Sequence, residues 1–219
     1  MRKNVLGFLC LLLVCVIFLV GCSKNNEFKL DGGKYVDSKT KISYTDAPGC
    51  YAPVAMGDKI YGTFGDSKFY QIVGADPEKW ICEESGTVLY AQGVELPTLG
   101  QMSVTRTDVM AEDVRIAQLT DVTVQELISV YESAQRINKP MVTDGMLTTN
   151  WRIHFIDESI GIYYALEYFE LSEDYIIKSD SGEQINLGKR FLYNRFESVC
   201  VAAGDVLASL VTEYEEIVQ

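Results

Sequence analysis

Hydrophobic and polar positions are distributed along this chain in three different ways. Val5 to Val20 is an unbroken apolar run of 16 residues. From Lys34 to about Pro97, short stretches rich in β-branched and aromatic residues are separated by turn residues, the pattern of strands. Ile42–Tyr44 is closed by Asp46, Pro48 and Gly49. Lys59–Phe64 and Phe69–Val73 flank Gly65-Asp66-Ser67-Lys68, a hairpin by composition and by loop length. Trp80–Glu83 and Thr87–Gln92 form a second pair around Ser85-Gly86. Strands this short need closure to bury a core, so a small, strongly bent sheet or barrel is expected.

Leu96–Asp113 is the least patterned stretch and the candidate boundary between two subdomains. Beyond it, Val114–Leu119 reads as a strand and is followed by the clearest helix signal in the chain. Thr123-Val124-Gln125-Glu126 fits a capping box, and Val124, Leu127, Ile128, Tyr131 and Ala134 share one helical face. The helix is expected to end before Asn138-Lys139-Pro140, because the residue before proline is pushed out of the α region. Trp151–Ile156, Gly161–Leu171, Asp174–Ser179, Arg190–Phe196 and Val199–Ala202 are strand candidates. Asp205 is placed to cap a last helix whose stripe is Val206, Leu207, Leu210, Val211, Tyr214, Ile217 and Val218. The expected class is therefore α+β: an N-terminal small β sheet or barrel-like section, then a mainly antiparallel sheet with two helices packed on it.

The apolar run follows Arg2 and Lys3 and ends in Leu19-Val20-Gly21-Cys22, the arrangement of an export signal. These last four residues resemble the bacterial lipobox. That resemblance implies transfer of a diacylglyceryl group to the Cys22 thiol and cleavage between Gly21 and Cys22 by a dedicated signal peptidase. It also implies attachment, through palmitate-type acyl chains, to the outer face of the bacterial cell membrane, or to the outer membrane in a two-membrane cell. Two alternatives stay open. An uncleaved anchor would need about 20 apolar residues to span the hydrocarbon core. An ordinary secretory signal would need Leu19 to serve as the small residue three positions before the cut. On the lipoprotein reading, 1–21 is the signal peptide, 22–27 a short tether, 28–98 a β-rich subdomain and 112–219 an α+β subdomain.

Charge narrows the partners. Residues 1–21 hold Arg2 and Lys3 and no acids, so the mature chain carries 17 basic and 31 acidic side chains, a formal charge of −14. Nucleic acid, which needs a positive footprint, is excluded as a partner. The membrane, reached through the lipid, and an unidentified envelope protein or ligand remain. Cys10 and Cys15 leave with the signal. Cys50, Cys82 and Cys200 allow at most one internal disulfide and otherwise serve as small buried hydrophobes.

Candidate chemistry is sparse, and no catalytic residue, cofactor or metal is expected. His154, the single histidine, shares a strand face with Arg152 opposite Trp151, Ile153 and Phe155, which predicts an exposed side chain. Glu167 and Glu170 fall on opposite faces of their strand, and Glu83-Glu84 and Glu215-Glu216 are neighbours that diverge. Asp180-Ser181-Gly182-Glu183 lacks the alternating ligands of a calcium loop and reads as a hairpin turn. Tyr163, Tyr164, Tyr168 and Phe169 crowd one strand, as sheet packing or as an aromatic platform for a ligand. The leading expectation is a non-catalytic binding lipoprotein. A hydrolase acting on envelope or imported material, and a structural or signalling subunit of a membrane complex, are the alternatives.

Overall fold

The computed structural model describes residues 25–143, 145–179 and 181–218. Within them the protein is mostly β with two helices, a closed barrel followed by a mainly antiparallel sheet. The barrel contains β1 (Asn26–Asp31), β2 (Lys34–Asp37), β3 (Ser43–Asp46), β5 (Met56–Phe64), β6 (Ser67–Ile72), β7 (Trp80–Glu83) and β8 (Val88–Ala91). Around the barrel the order is β1-β2-β3-β8-β7-β6-β5, and a parallel contact between β1 and β5 closes the ring.

Inward positions of these strands, Phe28, Tyr44, Phe69, Ile81, Leu89 and Ala91, fill the barrel with side chains. Gly62 is required at the seam, where a Cβ would stand 2.2 Å from the Phe28 ring. Outward positions of the same strands are buried too. Ile72, Trp80, Cys82 and Val88 join the main core of the molecule, together with residues of the sheet and both helices. The strands β7 and β8 are thus covered on both faces, which explains their nearly continuous apolar runs.

The segment β4 (Tyr51–Pro53) leaves the barrel and pairs with the second sheet. That sheet has the order β10-β9-β11-β12-β15-β16, built from β9 (Arg106–Ala111), β10 (Val114–Gln118), β11 (Leu147–Asp157), β12 (Ile162–Leu171), β15 (Arg190–Asn194) and β16 (Val199–Ala202). Its inner face packs against α1 (Asp121–Ser133), through Val124, Leu127 and Tyr131, and against Leu207, Val211 and Tyr214 in and just before α2 (Ala208–Val218). A small hairpin, β13 (Ile176–Lys178) with β14 (Gln184–Asn186), stands beside one end of the outer face. Tyr175 and Leu187, which flank it, pack with Phe169, Leu171, Phe191 and Cys200.

The α+β expectation and the barrel-like N-terminal section agree with this architecture, and several local expectations need correction. Thr120, not Thr123, caps α1: its hydroxyl accepts from the Thr123 amide at 3.4 Å. The reason lies in β10, since Leu119 still donates to Thr107 O, which leaves Thr120 the first residue free to cap. The same helix stops at Ser133, earlier than the proline requires, because the Ile137 amide bonds to Cys200 O at the sheet edge. Asp205 does not cap the last helix, because its carboxylate is paired with Arg190. Among the stripe residues of that helix, Leu207 and Val211 are buried and Leu210 is half-buried. The side chains of Ile217 and Val218 lie outside the described residues. The stretch Leu96–Asp113 contains β9, a strand in the middle of the sheet, and Asn26 and Glu27 belong to β1. Barrel and sheet meet at Gly161 in the turn between β11 and β12. Its carbonyl accepts from the Val54 amide at 2.9 Å, and its φ is +67°.

Candidate functional site

One edge of β12 is shared by two strands. Ile162–Tyr164 pair with β4, Glu167–Glu170 pair with β15, and between them the Ala165 amide reaches Cys50 O at 2.7 Å. The sheet therefore forks at Ala165 and Leu166. On its outer face the fork opens a groove of about 140 Å³. Gly49 and Ala52 line it from the β4 side, Tyr193, Arg195 and Phe196 from the β15 side, and Arg152, His154, Tyr163 and Glu167 form the floor and rim. Phe196 closes one end by lying over Gly49, where a Cβ would come within 2.4 Å of its ring.

Strand alternation does place His154 and Arg152 on the face opposite Trp151, Ile153 and Phe155, but His154 is not exposed as expected. Its ring stacks on Tyr163 with centroids 4.2 Å apart and is half-buried, because the fork walls rise around it. Burial first, and the nearby Arg152 guanidinium second, push the imidazole pKa down to about 4 against the opposing pull of Asp108. The ring is neutral at pH 7. Asp108, directly across from His154 on β9, is buried and held by Arg106 at 3.1 Å and Arg115 at 3.7 Å. Among the described residues, His154, the Tyr163 hydroxyl and the Tyr193 hydroxyl have no hydrogen-bond partner.

Charge is arranged unevenly around the groove. Arg152 donates through Nη2 to Glu112 O and to Asp113 at 2.8 Å, and Arg195 stacks over Phe196 at 4.8 Å. Glu167 is the single carboxylate on the lining, and Lys139 at 3.3 Å and Arg195 at 3.9 Å neutralise it. Lys139 in turn lies over the Tyr193 ring at 4.1 Å. In a chain of net charge −12, this concentration of cations and aromatic faces is unusual.

The remaining candidates are dispersed. Glu170 faces the other side of β12, buried, ion-paired with Arg190 and accepting from the Tyr168 hydroxyl at 2.7 Å, so it forms no pair with Glu167. Glu83 accepts from Tyr35 and Glu84 from Tyr70, on the barrel surface. Tyr164 and Tyr168 are core residues. Tyr164 Oη receives a hydrogen bond from Asn194 Nδ2 at 2.6 Å and donates to Glu197 at 3.2 Å. Phe169 is on the outer face but buried beneath the β13–β14 region, so it offers no platform. Cys50, Cys82 and Cys200 are free and fully buried, and burial raises the first two to about 11 and the third to about 12. Ser181 and Gly182 form the turn of the β13–β14 hairpin, where Ser179 N bonds to Glu183 O at 2.8 Å. Gly21, Cys22, Asp180 and the side chain of Glu215 lie outside the described residues.

Sequence reasoning missed Arg195, Tyr193 and Phe196 as groove residues. Alternation along Arg190–Phe196 signals that Tyr193 and Arg195 share a face. That this strand lies across a fork from β4 depends on pairing, which the three residues Tyr51-Ala52-Pro53 do not announce. No protein-family model matches this chain, and no curated protein or solved structure does either.

Proposed function

We propose that this protein is an envelope lipoprotein, held to the membrane through Cys22, that binds a ligand or partner at the forked-sheet groove and does not turn it over. The lipobox Leu19-Val20-Gly21-Cys22 supports the anchor. Only Ser23, Lys24 and Asn25 separate Cys22 from β1, a span of about 14 Å at most when fully extended. The barrel would then sit against the membrane surface, with the groove carried on the second sheet.

The observation that carries the binding reading is the groove itself. It is concave, walled by aromatic rings, and lined by convergent polar groups, of which the His154 imidazole and the Tyr163 and Tyr193 hydroxyls have no hydrogen-bond partner among the described residues. Binding is favoured over hydrolysis by the state of the reactive groups. The three thiols are held protonated by burial. The carboxylate nearest the histidine on the groove lining is tied to two cations, while a general base needs a proton to take and a nucleophile within reach.

Two experiments test the proposal. Replacing Cys22 by Ala is expected to abolish labelling by a fatty-acid analogue and leave the precursor uncut, and unchanged labelling would overturn the anchor. The chain from Ser23 onward, immobilised, is expected to retain envelope material in a manner weakened by Arg195→Glu. Turnover of peptidoglycan, glycans or esters that disappears in Glu167→Gln or His154→Gln would replace binding with hydrolysis.

A further inference from the structure

We infer that the groove takes a single six-membered ring bearing one carboxylate, a ligand class that rests on the binding reading above. The argument starts with size. A cavity of about 150 Å³ accommodates one benzene molecule, and the groove measures about 140 Å³. One ring fits, and a longer polymer would have to lie outside. Phe196 over Gly49 blocks one end, and the ion pairs of Glu167 with Lys139 and Arg195 occupy the rim.

The walls set the shape of the ligand. Tyr163, backed by His154, and the rings of Tyr193 and Phe196 offer flat π faces, which favour a planar or chair-shaped ring over a compact tetrahedral ion. Charge then selects among rings. Arg152 binds its neighbours only through Nη2 among the described residues. Arg195 stands 3.9 Å from Glu167, beyond hydrogen-bond reach. Both guanidinium groups therefore have donors to offer a carboxylate in their planar fork. Cationic rings are repelled by the same groups. Arg152, Arg195 and Lys139 against Glu167 and Asp113 leave one net positive charge at the groove, which matches a ligand with one negative group.

Hydroxyl or ring oxygens of the ligand would meet the neutral His154 imidazole and the Tyr163 and Tyr193 hydroxyls, which lack partners among the described residues. An aromatic carboxylate and a sugar acid share this chemistry and differ in their need for those three polar groups. The chain has a single histidine, so its two carbon-bound ring protons give an unambiguous pair of magnetic-resonance signals inside the groove.

Benzoate and glucuronate, with benzyl alcohol and glucose as neutral counterparts, would be titrated into the full chain in detergent micelles at pH 7 while the His154 signals are followed. Saturable shifts are expected with at least one acid, with the neutral counterpart and the Arg195→Gln variant each weaker by about tenfold, the scale of a charge-assisted hydrogen bond. A response to benzoate assigns an aromatic acid; a response to glucuronate assigns a sugar acid. The inference is overturned if neither acid shifts the signal, if the neutral rings bind as well as the acids, or if Arg195→Gln changes nothing. Should the acids fail while Arg195→Glu still removes retention of envelope material, the ligand class falls and the binding reading stands. Loss of both would remove the groove as a site altogether.

Discussion

His154 lies flat against Tyr163, with ring planes 18° apart and centroids separated by 4.2 Å. The stack and the groove walls half-bury the imidazole, and that loss of hydration favours its neutral form. The folded-state pKa, about 4, lies below the ordinary value of 6.5. Above pH 6.5 neither the folded nor the unfolded chain holds the proton. As pH falls from 6.5 towards 4 the unfolded chain binds it and the folded chain does not, so stability is lost across that window. A direct titration of the His154 ring protons is expected to show a midpoint near 4. Replacing His154 by Gln should remove about 1–3 kcal/mol of the stability loss between neutral pH and pH 4, read from urea midpoints.

The joint between barrel and sheet should be sensitive at Gly161. Its φ is +67°, and a Cβ there would stand 2.4 Å from Val73 O, a backbone atom with no freedom to swing aside. Gly161→Ala is expected to destabilise the protein by about 2 kcal/mol or more, the clash adding to the cost of the left-handed backbone. Gly182, also at positive φ but with open space around it, should tolerate Ala at a smaller cost. Urea unfolding of both variants makes the comparison.

Two leucines three residues apart near the C-terminus separate packing from helical pattern. Leu207 is buried, at 1 % exposure, while Leu210 is half-buried. Leu207→Ala should cost about 2–5 kcal/mol, as for a filled core site. Leu210→Ala should cost clearly less. Equal losses in thermal or chemical unfolding would show that the packing described for this helix is wrong.

On the inner face of the sheet, Arg190 joins buried Glu170 to exposed Asp205, and the Glu170 side chain is only 4 % exposed. Arg190→Met leaves that carboxylate buried without its cation and is expected to cost roughly 3–5 kcal/mol. Adding Glu170→Gln should recover part of the loss, because the stranded charge goes with it. A double-mutant cycle by urea unfolding measures the coupling.

The chain shortened to residues 23–219 keeps Cys50, Cys82 and Cys200, whose thiols burial holds at about 11 to 12. A thiolate reagent at pH 8 should find them inert in the folded protein and titrate all three in denaturant. Rapid reaction of one thiol in the native state would identify a site that opens locally.

Much of the strand inventory is legible in the sequence, and the reason is local. The pairs around Gly65-Asp66 and Ser85-Gly86 carry their own turn chemistry, and Trp151–Phe155 alternates because one of its faces meets the core. What escapes is set by distant partners. Arg106–Ala111 is a central strand in which Thr107, Asp108 and Val109 are all buried, so it shows no alternation of apolar and polar residues. Thr120 outranks Thr123 as a cap because β10 fixes where the chain is released. The groove follows the same logic. Arg152 and His154 declare a shared face, yet the burial of His154 comes from Tyr163 and from loops on either side of the fork, at separations no spacing rule covers.

The seam of the barrel has a mechanical meaning. The strand β1 supplies Phe28 to the interior and pairs with β2 on one side and β5 on the other. Any pull on the chain ahead of Asn26 therefore enters the fold through this one strand. Directed along β1, the load falls on its ladder bonds together, in shear, and they must fail as a group. Directed across β1, it would open the short parallel contact with β5 one bond at a time and then draw Phe28 out from beside Gly62. On the proposed anchorage at Cys22, the direction of tension from the membrane would thus decide whether the barrel holds as a rivet or opens as a zip.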